Sequence, residues 1–208
     1  MIMKHNGFEY VDLCLPSGTK WATCNVGAKN ETDCGLYFSW GETKGYSCIT
    51  NIKQFCWGDY KFSKFGLNKF VKYNGTDEKK VLDLKDDAAQ ANMGGRWHMP
   101  TYEQIKELMH NTESTWVSNY NGSGLNGRLF ISKSDESKKL FLPASGYLGN
   151  CISTRTYRFG YFLSSSLFSF DDCYSTVLDF NSDDVSVTKC HRSFGANVRG
   201  VFNTFWIK

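Results

Sequence analysis

The chain reads as a single α+β domain, with two helical segments near its middle and a long succession of short antiparallel strands. Three observations carry that reading. Helical periodicity is confined to residues 84–112. Short apolar–polar runs fill most of the rest, above all from Trp116 onward. Nineteen glycines against three prolines in 208 residues supply many tight turns, and no linker or break in composition divides the chain.

The elements follow in order. Residues 8–26, FEYVDLCLPSGTKWATCNV, predict two short strands around a Pro-Ser-Gly turn. Residues 35–73 are rich in aromatics and glycine without a clear period, and predict loops and short strands. LKDDAAQANMGG (84–95) predicts a short helix, with Asp83 or Asp86 as N-cap and Gly94 ending it. MPTYEQIKELMHNT (99–112) is the strongest helix. Thr101 and Gln104 have capping-box spacing, and Pro100 stands just before the cap. Tyr102, Ile105, Leu108 and Met109 share one face; Glu103, Lys106 and Glu107 share the other. Beyond it TWVSNY, GRLFISKS, KLFLPASGY, GYFLSSS, TVLDF, DVSV and NVRGVF all read as strands.

Composition narrows the function. Apolar residues make up 41%, enough for a real core, and the formal net charge is only +3. That balance argues against bulk attraction to nucleic acid or a membrane surface. No apolar run is long enough to span a bilayer, and the start has no apolar stretch of signal-peptide length. As written, the chain is expected in the cytosol, or packaged into something that leaves by lysis, unless it is a trimmed piece. The eight cysteines, Cys14, Cys24, Cys34, Cys48, Cys56, Cys151, Cys173 and Cys190, form no C-x-x-C pair. Free thiols are expected, with no metal site and no cofactor.

Several motifs lose to plainer readings. GSGLNG (122–127) matches a dinucleotide loop, but a strand rather than a helix follows it, so it reads as a hairpin loop. KFSKFGLNKFVKY (61–73) interleaves lysines and rings as single-strand binders do. The preferred reading is an amphipathic surface segment with its rings packed inward. Cys190 and His191 are neighbours on a strand and point to opposite faces, which opposes a nucleophile–base pair. Asp171, Asp172, Asp183 and Asp184 could offer oxygens to calcium, but lack EF-hand spacing.

One stretch is unusual. SSSLFSFDDCYSTVLDFNSDDVSVTKCHRSF (164–194) draws its polar residues almost wholly from Ser, Asp, Thr and Asn. Lys, Glu, Gln, Met and Trp together occur 37 times in residues 1–145 and once, at Lys189, in residues 146–205. The upstream rate would give about fifteen. Strands deplete Glu and Lys, which accounts for part of the deficit.

The blocks YVDLCLPSGTKWATCNVGA (10–28), YFSWGET (37–43), DDAAQANMGGRWHMPTYEQIKELM (86–109), LFLPASGY (140–147), GYFLSSSL (160–167) and GANVRGV (195–201) resemble a gut-bacterial and phage family. Its domains have the C-type-lectin-like fold, related to the formylglycine-generating-enzyme type. The resemblance spans about Glu9 to Val201 and implies an α+β C-type-lectin-like fold over residues 1–208. The chain departs from the pattern at Cys14, where glycine is usual, and at Met93 and Leu163, where tryptophan is usual. Cys173 and Cys190 do not match the reactive pair of the enzyme branch, so no enzyme activity is carried over.

A subset of that family comprises variable proteins of diversity-generating retroelements. There, adenines of a template copy are mutated and the copy replaces the 3′ end of the gene. AAC codons become NNC codons, which cannot encode Lys, Glu, Gln, Met or Trp. The resemblance therefore implies a candidate variable region at 152–201, on a frame that includes Leu167, Leu178, Phe180, Val185, Val187, Val198 and Val201. Candidate exposed, ligand-binding positions are Tyr157, Arg158, Phe159, Phe168, Phe170, Asp171, Asp172, Cys173, Tyr174, Asp179, Ser186, Thr188, Cys190, His191, Ser193 and Phe194. Rings among them would serve as anchors and small polar groups as hydrogen-bonding contacts, the mix found in antibody paratopes. The expected partner is a protein or glycan receptor on a bacterial surface, without nucleic acid or membrane insertion, and with oligomerisation left open. The alternative is a carbohydrate-binding or adhesin module of the same fold with a constant site.

Overall fold

Alternating runs too short to build one large sheet pair instead into several small ones. The computed structural model describes residues 3–47, 55, 57–64, 67–149, 152–153, 157–169 and 171–204. In chain order come β1 (Met3–His5), β2 (Phe8–Val11), β3 (Thr19–Ala22), β4 (Tyr37–Phe38), β5 (Ser63–Lys64) and β6 (Leu67–Phe70). The helices α1 (Ala88–Met93) and α2 (Tyr102–Asn111) occupy the middle. Then follow β7 (Thr112–Val117), β8 (Gly127–Ser132), β9 (Lys139–Pro143), β10 (Leu148–Gly149) and β11 (Ile152–Ser153). The chain closes with β12 (Gly160–Leu167), β13 (Tyr174–Phe180), β14 (Val185–His191), β15 (Ala196–Asn197) and β16 (Val201–Asn203).

Five strands form the sheet that matters most here, in the order β14-β13-β12-β15-β4. The others are β1-β2-β3-β16, β7-β8-β9 and the pairs β5-β6 and β10-β11. β13 and β14 make a hairpin in unbroken register from Tyr174↔His191 to Phe180↔Val185. Two long-range pairings join the ends of the chain: β16 to β3 through Val201↔Trp21, and β15 to β4 through Ala196↔Phe38.

Alternation along β13 divides the core between the two faces of this sheet. Val177 enters a cluster with Trp40, Trp97 and Leu163. Leu178 and Phe180 enter a second cluster with Trp21, Ile105, Leu108 and Phe130. Each of these fully buried side chains contributes about 1.5–3 kcal/mol by leaving water. Leu167, Val198 and Val201 are buried as well, while Val185 and Val187 pack against the second cluster half-buried.

The expectation of an α+β, C-type-lectin-like fold is overturned. Strand takes 38% of the described residues and helix of every kind 14%, so this is a β-rich fold of several small sheets. The physical reason is the length of the helices. α1 has six residues and α2 ten, too few to form a layer of their own. Part of the segment expected to be helical, Leu84–Asp86, is only a 3-10 turn.

α2 begins as expected, with a complete capping box between Thr101 and Gln104. Ile105 and Leu108 are buried, but Tyr102, at the open end of that face, is 37% exposed. The cap of α1 is Asp87, neither Asp83 nor Asp86: its carboxylate accepts from Gln90 N at 2.9 Å and from Met99 N at 2.8 Å. Asp86 is engaged elsewhere, accepting from Lys61, Lys72 and Tyr73. Gly94 ends α1 at φ +64°, a conformation that favours glycine.

Those same lysines and rings settle the 61–73 segment. Phe62 and Tyr73 are buried, Phe70 is half-buried, and Lys61 and Lys72 are paired with carboxylates, so these rings pack inward, while Phe65 lies outside the described residues. The GSGLNG stretch lies between β7 and β8, with its last glycine, Gly127, opening β8. Among the described residues no helix is long and apolar enough to cross a membrane.

Candidate functional site

The sequence places Phe159 just before β12, Tyr161 two residues later and Phe194 in the turn after β14, and the fold brings them together. A cleft of about 260 Å³ opens at the β14 edge, lined by Tyr147, Tyr161, Tyr174, Lys189, Cys190, His191 and Phe194. Its rings form a continuous chain. Phe159 meets Tyr161 edge-on at 5.7 Å between centroids, and Tyr161 meets Tyr147 at 5.0 Å. Tyr147 stacks on Phe194 at 5.6 Å and 5°, Phe194 touches His191 at 5.2 Å, and His191 meets Tyr174 at 5.6 Å. The exposed Lys189 holds its ammonium 4.4 Å from the Tyr174 ring and 5.6 Å from that of Phe168. Cation–π attraction of this kind contributes about 0.5–1 kcal/mol at exposed sites and orients the amine.

Local geometry holds these rings. Phe194 N donates to the His191 carbonyl at 2.9 Å, closing a tight turn. The Phe194 ring lies over Gly149, where a Cβ would meet it at 2.7 Å, so glycine is required for this approach. Arg192, fully buried, is the anchor beneath. Its Nε donates to Tyr60 Oη at 3.0 Å, Nη1 to the Tyr73 and Asp172 carbonyls at 2.9 and 3.1 Å, and Nη2 to the Lys72 carbonyl at 3.1 Å. The guanidinium also sits 4.1 Å from the Phe70 ring and 4.8 Å from that of Trp40. Arg192 thus ties the 171–174 turn and the 191–194 turn to the 60–73 segment.

Burial sets the protonation of the cleft. It pushes the Cys190 thiol up to about 12, with the Asp179 carboxylate adding to the shift. It raises the Tyr161 hydroxyl to about 12, again with help from Asp179. Asp179 is itself raised, by burial and then by Asp184. His191 is lowered, by burial first and the Arg192 charge second, so its imidazole is neutral at pH 7; its Nδ1 lies 2.8 Å from Ser193 Oγ. The Cys173 thiol is raised to about 11 by burial and by Asp171. Protonated thiols are poor nucleophiles. Rings, an ammonium and a neutral imidazole can pack against a ligand and hydrogen-bond to it.

Of the sixteen candidate positions, Tyr174, Cys190, His191 and Phe194 line this cleft, and Phe159 joins its ring chain. Phe168 and Thr188 line a second cleft on the other side of Lys189. Asp179 and Ser186 are cross-strand partners, with Tyr161 opposite Asp179 on β12. Asp171 accepts from Cys173 N at 2.8 Å, and Asp172 lies 3.8 Å from Lys80. Tyr157 and Arg158 are exposed away from the cleft, where the Tyr157 carbonyl accepts from Asn126 Nδ2 at 3.1 Å. Phe170 lies outside the described residues.

Two positions expected to be exposed are not. Ser193 is 1% exposed and Cys190 4%. The turn after β14 folds back so that the Ser193 carbonyl accepts from Ser39 Oγ at 3.0 Å, and Cys190 faces the first core cluster opposite Ser175. Phe168, Tyr174 and Phe194, expected as exposed anchors, are half-buried.

Tyr147, Tyr161, Lys189 and Arg192 were missed by sequence reasoning. The period of two running through Tyr157, Phe159 and Tyr161 points to Tyr161. Nothing local marks Arg192 as a buried member of CHRSF. The described cysteines Cys14, Cys24, Cys34, Cys173 and Cys190 are free thiols. No group of three or more His, Cys, Asp or Glu side chains suited to a metal occurs among the described residues. Comparison with protein-family profiles, with characterised proteins and with solved structures finds no match to this chain.

Proposed function

We propose that this chain is a ligand-binding protein whose C-terminal sheet edge is an exchangeable contact surface on a fixed frame. Retroelement-directed adenine mutagenesis writes that surface, and its setting is receptor recognition by a phage virion or display on a bacterial surface. The ligand is a protein or glycan receptor. One observation carries the reading: the break in residue alphabet near residue 146 coincides with the segment that builds the aromatic cleft. Within that segment β13 is mostly buried as frame, while β14 carries half-buried side chains from Val185 to Thr188, an exposed Lys189 and a half-buried His191, as a surface on a rigid scaffold needs.

The test is to sequence the gene's locus and look for a near-copy of its 3′ end beside a reverse-transcriptase gene. Adenine-directed mismatches are expected at the codons for Phe159, Tyr174, Asp179, Ser186, His191 and Phe194. The codons for Arg192 and Ser193, whose side chains are enclosed, should match the copy. Absence of any copy, or mismatches spread evenly over buried and accessible codons, overturns the proposal. In that event a module with a constant site remains, to be screened against glycans with and without calcium.

A further inference from the structure

β14 is the outer strand of the five-stranded sheet, paired to β13 along all seven residues and, among the described residues, to no strand on its other side. Its register is free of bulges, it contains no proline, and Lys189 carries its only full charge at neutral pH. Proteins normally blunt a long regular edge, because its outward N–H and C=O groups form a template for another strand.

Two clefts meet at this edge. The aromatic cleft is lined by Lys189, Cys190 and His191 of β14. The second, of about 600 Å³, is lined by Val187 and Thr188, with Val81, Tyr102 and Phe168 as its apolar walls. Val81 and Tyr102 are among the few large apolar side chains left exposed, at 46% and 37%. Consecutive strand residues point to opposite faces. Both clefts are also lined by residues of β12 and β13, so each reaches from the sheet to the β14 edge.

We propose that β14 accepts an extended segment of a partner protein as a sixth strand. Alternate side chains of that segment enter the two clefts, and one carboxylate pairs with Lys189. Main-chain bonds would supply affinity and the clefts specificity, as in other cases of strand addition. Lys189 decides the occupant. A second copy of this chain would bring a second Lys189 to the same edge, and like charges across paired strands repel. An acidic segment is complementary. The inference rests on the reading of this region as a binding surface, and names the class of ligand and its mode of attachment.

The experiment uses the whole protein and a bead-bound library of seven-residue peptides randomised at every position. Peptides enriched on the protein should carry a carboxylate near their centre and apolar residues at alternate positions. N-methylation of one alternate set of peptide amides should abolish binding, and of the other set should leave it intact. Lys189→Glu, an exposed change checked by thermal melting, should reverse the charge preference by about tenfold or more.

No enrichment, indifference to N-methylation or indifference to charge overturns strand addition. So does a dimer seen by light scattering that Lys189→Pro dissolves by removing an outward N–H of β14, since the occupant is then a second copy. Locus mismatches at the cleft codons together with no peptide capture would leave the binding surface standing and remove only the strand. Peptide capture without a template copy would do the reverse, leaving the strand site and removing retroelement variation.

Discussion

Replacing Arg192 by methionine keeps most of the side chain's volume and removes every donor. Four acceptors lose their partner: the hydroxyl of Tyr60 and the carbonyls of Lys72, Tyr73 and Asp172. Bonds to a charged donor contribute about 1.5–3 kcal/mol each, so the gross loss is several kcal/mol. Removing a buried cation returns part of that, because the desolvation cost of the charge disappears with it. The net expectation is a loss of about 3–5 kcal/mol, since each buried acceptor left unsatisfied costs about 1–3 kcal/mol and the recovered desolvation offsets part of the sum. Arg192→Lys should fall short of wild type by a similar amount. One ammonium cannot reproduce a planar fork that reaches two turns at once. The assay is urea unfolding followed by tryptophan fluorescence, which reports on Trp40 under the guanidinium. Hydrogen exchange at residues 171–174 should also accelerate before global unfolding. A loss below about 1 kcal/mol for Arg192→Met would refute the claim that this residue anchors the cleft.

Two further outcomes follow from the titrating groups. Burial alone would raise the Asp86 carboxyl, but hydrogen bonds from Lys61, Lys72 and Tyr73 outweigh it and hold the group down at about 2, against 3.8 in the unfolded chain. A folded value below the unfolded one stabilises above the unfolded value, and that contribution is lost as pH falls from about 4 towards 2. Stability measured against pH should therefore show an acid limb of about 2 kcal/mol that Asp86→Asn removes, and an unchanged limb in the variant would be the contrary result. For the thiols, iodoacetamide at pH 8 should label the exposed Cys14 and spare Cys190, whose thiol burial holds near 12. Peptide mapping by mass spectrometry reads this directly, and equal labelling of the two would contradict the enclosed position of Cys190.

The expectations that held rest on short-range chemistry. The capping box of Thr101 and Gln104 lies within one helical turn, and the strand readings of TVLDF and DVSV rest on short runs of adjacent residues. Asp87 was missed as the cap of α1 because three aspartates in the stretch 83–87 offer the same oxygen. The choice among them is made by Lys61, Lys72 and Tyr73, which occupy Asp86. The fold class was misjudged for a related reason: helical periodicity shows that a helix exists, while its short extent depends on what packs around it.

By itself, then, the sequence determined the local elements and the restricted alphabet after residue 146. These depend on neighbours a few positions apart. Tertiary structure alone decided that β16 joins β3, that β4 borders β15, and that Arg192 turns inward while Phe194 lies over Gly149. Such choices depend on which distant backbone offers a free edge and which carbonyls must be satisfied once water is excluded. No short stretch of the chain encodes that competition.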